Sequence, residues 1–289
     1  MRTLVCLLLW SLIALLPSAG RTEDKRIVMI AGRPSHGPGE HEHRAGLLLF
    51  QKCLAGFPGV HVEVYSNGWP ADGGGLRGAA AVVIYSDGGA GHPALQADHL
   101  QQLGALMKQG AGLACLHFAV EPTTEKGERE FLDWLGGCFE VNWSVNPTWE
   151  ADFNPISAHP IGRGVKPFQL KDEWYFNLRF REGKETILAA VPPLSTIVRP
   201  DGPHENNPAV RTLVRQGGIA QTVAWAYERP DGGRGFGCTG GHYHRNWGND
   251  NLRKLVLNGI LWVAKVEVPK NGVESTVTPA DLAANLDEK

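Results

Sequence analysis

Four junctions in this chain set histidines and carboxylates directly after apolar runs. Gly240-Gly241-His242-Tyr243-His244-Arg245-Asn246-Trp247 lies between a short apolar strand and the last amphipathic helix. Ser35-His36-Gly37-Pro38-Gly39-Glu40-His41-Glu42-His43 follows the first apolar run, Asp87-Gly88-Gly89 the third, and His117 ends Leu113-Ala114-Cys115-Leu116. In a parallel α/β sheet the carboxyl ends of the strands gather along one edge, where ligands bind. Imidazoles and carboxylates distant in sequence would then line one pocket. Their chemistry near neutral pH is proton transfer or metal coordination. His117, Glu173 and His242 are the expected catalytic residues, and His36, Glu40, Asp87, Tyr175, His244 and Trp247 the expected substrate contacts. His41 and His43 are expected to be structural.

The elements that must carry these groups follow from the apolar patterning. Ile27-Val28-Met29-Ile30 reads as a buried strand over residues 26–31, followed by a helix over 41–54 and a second strand over 60–65. Residues 79–85 form a third strand, 95–108 a helix closed by Gly110, and 112–116 a fourth strand. Strands alternating with helices of this length imply a doubly wound, mainly parallel sheet. After about Leu135 the rhythm changes to strands over 145–153, 166–180, 186–191, 222–227 and 235–239, joined by Pro- and Gly-rich loops. Alternation over 173–180 would put Glu173, Tyr175, Asn177 and Arg179 on one strand face. The final helix, from about Asp250 to Ala264, has Leu252, Leu255, Val256, Gly259, Ile260 and Val263 at helical spacing and Asn249 or Asp250 as its cap.

Composition narrows the function. A net charge of −2 with no basic patch argues against nucleic acid. No GxGxxG follows the first strand and no GxxxxGK[ST] occurs, so the usual phosphate cradles of nucleotide sites are missing. Arg2, the apolar run from Leu4 to Leu16 and Pro17-Ser18-Ala19-Gly20 read as a secretory signal peptide over 1–20, so the mature chain is expected to be exported, periplasmic or secreted, without a membrane span. Cys53, Cys115, Cys138 and Cys238 show no CxxC pair, which signals neither a zinc cluster nor a disulfide framework. Trp143, Trp149, Trp174 and Trp247 occupy polar surroundings where an indole can either wall a sugar or fill core.

Gly112-Leu113-Ala114-Cys115-Leu116-His117, Leu135-Gly136-Gly137-Cys138-Phe139, His159-Pro160-Ile161, Asp172-Glu173-Trp174-Tyr175, Val223-Ala224-Trp225 with Gly235-Phe236, and Gly241-His242 followed by Gly259-Ile260-Leu261-Trp262 occur in that order. This ordered set resembles the ThuA-like (trehalose-utilisation) family over roughly residues 26–265, leaving 266–289 as a C-terminal tail expected to pack loosely or fray. The resemblance implies a flavodoxin-like fold related to class I glutamine amidotransferases. It also implies a role in carbohydrate catabolism, notably of 3-keto sugars made by partner sugar 3-dehydrogenases. One departure from the amidotransferases matters. Cys115 is flanked by Leu113 and His117 where a nucleophile elbow needs small residues, so it is expected to be a buried strand residue.

Several chemistries fit the residues. A 3-keto-glycoside has an acidified C2 proton, which Glu173 or His117 could remove while His242 or Tyr175 protonates the leaving oxygen; hydration then completes a net hydrolysis, or the enolate isomerises. Alternatively His117, His242 and Glu173 hold a divalent metal that polarises the ketone, although their spacing has no recognised metal signature. Ordinary glycoside hydrolysis by two carboxylates, and a non-catalytic periplasmic sugar-binding module, use the same residues. No cofactor other than a divalent metal is expected, and the partner is a small sugar.

Overall fold

The computed structural model describes residues 24–71, 74–154 and 159–289. The proposed signal peptide lies outside the described residues. In chain order the elements are β1 (Lys25–Ala31), α1 (His43–Leu54), β2 (Val60–Tyr65), β3 (Ala81–Tyr85), α2 (His99–Met107), β4 (Gly112–Leu116) and α3 (Glu128–Leu135). These are followed by β5 (Gly137–Cys138), β6 (Thr148–Phe153), β7 (Phe168–Glu173), β8 (Arg179–Phe180), β9 (Glu185–Ala190) and α4 (Pro208–Gln216). The chain continues through β10 (Gln221–Glu228), β11 (Arg234–Cys238), α5 (Asp250–Val263) and α6 (Pro279–Ala283).

Seven strands form one sheet in the order β2-β1-β3-β4-β11-β10-β9. β2, β1, β3, β4 and β11 run parallel, whereas β10 is antiparallel to both of its neighbours. This is the α/β doubly wound architecture expected from the sequence. β3 and β4 are buried along their whole length, because helices cover both faces of the sheet. Side chains alternate along β1: Ile27, Met29 and Ala31 join the core under α1 and α5, while Val28 and Ile30 join the core under α2 and α3. Chain order reverses between β1 and β3, so the first strand-to-helix loop and the end of β3 flank a crevice at one edge. β4 and β11 end on the same edge. β6 and β7 form a separate antiparallel ribbon that delivers Glu173 from outside the main sheet.

Three expectations need correction. The strand foreseen over 166–180 stops at Glu173; the chain then runs irregularly, with Asn177 at φ +57°, before the two-residue β8. The alternation therefore fails, and Trp174, Tyr175 and Phe176 are all buried. α3, α4 and α6 occupy segments read as loop or tail; at eight, nine and five residues they give an apolar period little room to repeat.

The third correction is the tail, which does not fray. Val268 and Val273 are buried, and α6 carries a capping box between Thr278 and Asp281. The Asp287 N–H donates to Glu42, and the Lys289 ammonium reaches the same carboxylate at 3.3 Å. Cys53, Cys115, Cys138 and Cys238 are free thiols, and all but Cys53 are fully buried. No described helix is long and apolar enough to cross a membrane.

Arg253, 1% exposed, fastens the tail to α5. Its guanidinium donates to the Trp247 carbonyl, to the hydroxyl and carbonyl of Ser275, and to Asp250. Arg253→Ala leaves the two carbonyls without their donor. We expect a loss of about 2–4 kcal/mol, read as a lower midpoint in urea unfolding followed by circular dichroism.

Candidate active site

At the sheet edge four side chains converge: His41 from the loop after β1, His117 at the end of β4, Glu173 at the end of β7 and His242 from the loop after β11. One ligand-type atom from each lies within 4.8 Å of all the others. The His41 Nε2 stands 3.0 Å from His242 Nδ1 and 3.1 Å from His117 Nε2. Glu173 Oε2 lies 3.4 Å from His242 Nδ1 and 3.6 Å from His117 Nε2. The three residues expected to be catalytic are thus brought together, with a fourth, His41, at their centre.

Each loop is held by the others. The His41 N–H donates to the His242 carbonyl at 3.0 Å, and Glu40 forms an antiparallel bridge with Tyr243. The Tyr85 hydroxyl donates to the Gly241 carbonyl. Gly241 has φ +121°, and a Cβ there would lie 2.7 Å from the indole of Trp247, so only glycine fits. His36, His41 and His117 also occupy the left-handed region, at φ 60°, 46° and 54°. At His117 this abrupt turn ends β4 and swings the ring back over the sheet edge.

Asp172 fixes the remaining geometry. It is fully buried beside Glu173, and its carboxylate accepts four hydrogen bonds. The donors are the N–H groups of Glu173 at 2.7 Å, Gly241 at 2.9 Å and His242 at 3.1 Å, and the Asn246 amide at 2.9 Å. Burial raises the pKa of Asp172, opposed by those same donors. One carboxylate thus locks the backbone bearing Glu173 to the backbone bearing His242.

Burial also sets the protonation of the imidazoles. It lowers the pKa of His117 well below the ordinary histidine value, lowers that of His41, and pushes His43 down to about 3. In all three, burial favours the neutral ring. His242 is different: burial opposes its charging, but the Glu173 carboxylate, helped by Asp172 and Glu40, raises its pKa. Burial also acts against ionisation of Asp87, yet hydrogen bonds from His41 and Ser35 hold it down at about 2.

The expected substrate contacts divide into two groups. His36, Glu40 and Asp87 form the rim. Their side chains are 41%, 35% and 31% exposed, and the His36 ring stacks on His41 with centroids 3.6 Å apart. Beside Asp87 a cleft of about 460 Å³ opens, lined by Arg33, Asn67, Trp69, Gln96 and His99 among others. Tyr175, His244 and Trp247 do not reach the rim. Tyr175 is 2% exposed, with its hydroxyl 3.3 Å from His117 Nε2, so it backs the cluster rather than orienting a ligand. His244 is buried beside Leu282 of α6. Trp247 is fully buried against Phe50 and Tyr85, so its indole walls no open pocket. The N-terminus of α5 is satisfied by Asn249, whose side chain accepts from Asn251 and Leu252. Cys115 is fully buried in β4, and burial raises the pKa of its thiol far above the usual range, which disfavours the thiolate that a nucleophile needs.

His41 is the residue that sequence reasoning missed. The helix was drawn from residue 41, where the ring would sit in its first turn; the helix begins at His43. The signal was present in Gly37-Pro38-Gly39, a segment that leaves no capping side chain ahead of His41 and extends the loop.

The family model described as ThuA, trehalose utilisation, matches residues 30–263. The chain belongs to the ThuA family. Among solved structures, a ThuA-like protein from Bacteroides uniformis ATCC 8492 superposes with a TM-score of 0.58 at 14% identity, covering 86% of this chain and 95% of that one. A ThuA-like protein from Parabacteroides merdae ATCC 43184 gives a TM-score of 0.57 at 14% identity, covering 89% and 94%. At such identity these likenesses speak for the fold alone. No curated protein matches the chain. Membership in the family gives the chain a carbohydrate-related role.

The Asp172 lock yields a direct test. Asp172→Asn preserves shape but turns an amide NH₂ toward N–H donors. We expect a loss of about 2–4 kcal/mol in urea unfolding, since a buried charged acceptor is replaced by a mismatched donor. The conservative Asp172→Glu should fail to restore it, because the longer side chain cannot reach all four donors in the same pocket.

Proposed function

We propose that this chain is an enzyme that moves a proton beside the carbonyl of an oxidised sugar, a 3-keto-glycoside in particular. The observation that carries this reading is the buried His41–His117–Glu173–His242 cluster beneath an open rim of acid–base groups. A ketone at C3 makes the C2 proton removable. Loss of that proton drives expulsion of the C1 substituent, and water adding to the enone completes a net hydrolysis; returning the proton elsewhere would give an isomerisation.

Geometry suggests how the roles divide. The cluster is the seat for the ketone oxygen, since its atoms are buried and fixed before any substrate arrives. Glu40 is the base at the rim: it is a third exposed, and its Oε1 lies 3.5 Å from His242 Nε2. A His242 proton on that side orients Glu40 and can be passed on to the departing oxygen. Asp87, His36 and the adjoining cleft would hold the rest of the glycoside through its hydroxyls. Trp69, half-buried and stacked on His99 with centroids 4.6 Å apart, offers that cleft an aromatic wall. In this reading the mature chain works outside the cytoplasm, as the signal-like sequence 1–20 supports, on ketones supplied by a sugar 3-dehydrogenase.

The test is to incubate the purified chain with a panel of 3-keto-glycosides and their parent glycosides and to follow products by mass spectrometry. Turnover confined to the keto forms is expected. Glu40→Gln should lower kcat by about 10²–10⁴-fold, the usual contribution of a general base, with little change in KM. Turnover of the unoxidised glycosides alone would replace this reading with ordinary glycoside hydrolysis. Ligand binding without any turnover would replace it with a sugar-binding module.

A further inference from the structure

We propose that His41 Nε2, His117 Nε2, His242 Nδ1 and a carboxylate oxygen of Glu173 are the protein ligands of one zinc-like divalent cation. The argument starts from hydrogen-bond partners that can only accept. His41 Nδ1 lies 2.6 Å from the Asp87 carboxylate, so that nitrogen carries the proton and Nε2 presents a lone pair. His117 Nδ1 lies 2.8 Å from the Thr239 carbonyl, which cannot donate, so its Nε2 also presents a lone pair. These two lone pairs stand 3.1 Å apart, inside a shell closed by a carboxylate.

Such an arrangement repels itself unless something positive sits within it. A single proton does not suffice. Placed between His41 Nε2 and His242 Nδ1, it leaves His117 Nε2 facing an occupied nitrogen, with the Tyr175 hydroxyl at 3.3 Å as its one remaining donor. A cation at the centre satisfies every atom at once. Ligands about 2.0–2.1 Å from a tetrahedral metal lie roughly 3.3 Å from one another. Four of the six separations, at 3.0, 3.1, 3.4 and 3.6 Å, bracket that value, and all six lie within 4.8 Å, so a small inward shift of the side chains completes the shell.

The surroundings are those of a built site. Metal-bound imidazoles hold their far nitrogen on a carboxylate or backbone carbonyl, which fixes tautomer and orientation. Asp87 does this for His41 and the Thr239 carbonyl for His117, while Glu40 stands 3.5 Å from the far nitrogen of His242. His41 and His117 are 1% and 0% exposed, so neither ring serves the surface. Three imidazoles and one carboxylate favour a late first-row ion over magnesium or calcium, which prefer all-oxygen shells. Bound there, the ion would meet the ketone oxygen, and the enolate formed from it, only as a fifth ligand or in place of the Glu173 carboxylate. That catalytic use rests on the function proposed above; the binding claim does not.

The experiment uses the purified chain, stripped with chelator and dialysed, titrated with zinc alone and separately with magnesium alone by calorimetry, with metal content measured by mass spectrometry. One zinc per chain and no comparable magnesium uptake are expected. His41→Ala and Glu173→Gln should each weaken zinc binding at least 10²-fold, and Asp87→Asn, which touches no metal, about 10–100-fold. Because His41→Ala can disturb the loop, cobalt titration of the Asp87→Asn chain, with circular dichroism as a check on folding, gives an independent reading. A tetrahedral visible spectrum shared with the parent but reached at higher cobalt supports the site. No zinc uptake by the parent, or uptake unchanged in all three variants, overturns it. Zinc binding without keto-glycoside turnover would leave the site standing and remove the function. Full turnover by the stripped chain would remove the ion's catalytic use and leave the function, the binding site being judged by zinc uptake alone.

Discussion

The structure turns on a buried carboxylate that holds two chain segments almost seventy residues apart. Asp172 gathers three backbone N–H groups and one side-chain amide, and through them fixes Glu173 and His242 in one frame. A buried carboxylate is costly unless its lone pairs are filled. Here they are, and the donors come from both sides of the gap being bridged. A ribbon outside the main sheet therefore delivers its side chain with the accuracy of a sheet strand.

A second feature is the strain concentrated in the same place. Three of the site histidines sit in left-handed backbone, where a non-glycine residue costs of order 1–3 kcal/mol. Surrounding contacts must offset that cost. The Glu40–Tyr243 bridge, the His41 N–H bond to the His242 carbonyl and the Tyr85 hydroxyl on the Gly241 carbonyl supply the restraint. The stiff sheet edge below thus supports a loop cluster that would relax if released.

Much of the fold was legible in the sequence, and the reason is periodicity. β2 and β4 match the reading residue for residue, and α5 ends one residue early, because each is a clean apolar run or stripe. Parallel topology followed from strand–helix alternation, and with it the gathering of His117 and His242 at one edge. What was not legible depended on contacts between distant segments. Glu173 was placed on a long alternating strand, yet it reaches the cluster because β7 stops there. Tyr175 was placed on that strand, and His244 and Trp247 in a loop before the last helix; all three are buried in irregular chain, where there is no period to read. His41 was read as structural because a single imidazole near a helix start more often caps or packs than reacts, and only its distant partners mark it as the central member of the cluster.

The sheltered thiols have a consequence for where such a chain can work. Its sheet closes around Cys115, Cys138 and Cys238 as ordinary small apolar fillers, and none of the described cysteines is cross-linked. Cohesion then owes nothing to sulfur oxidation state. A reducing cytosol and an oxidising exterior would find the same architecture, with Cys53 alone, half-buried on α1, offering an oxidant a foothold.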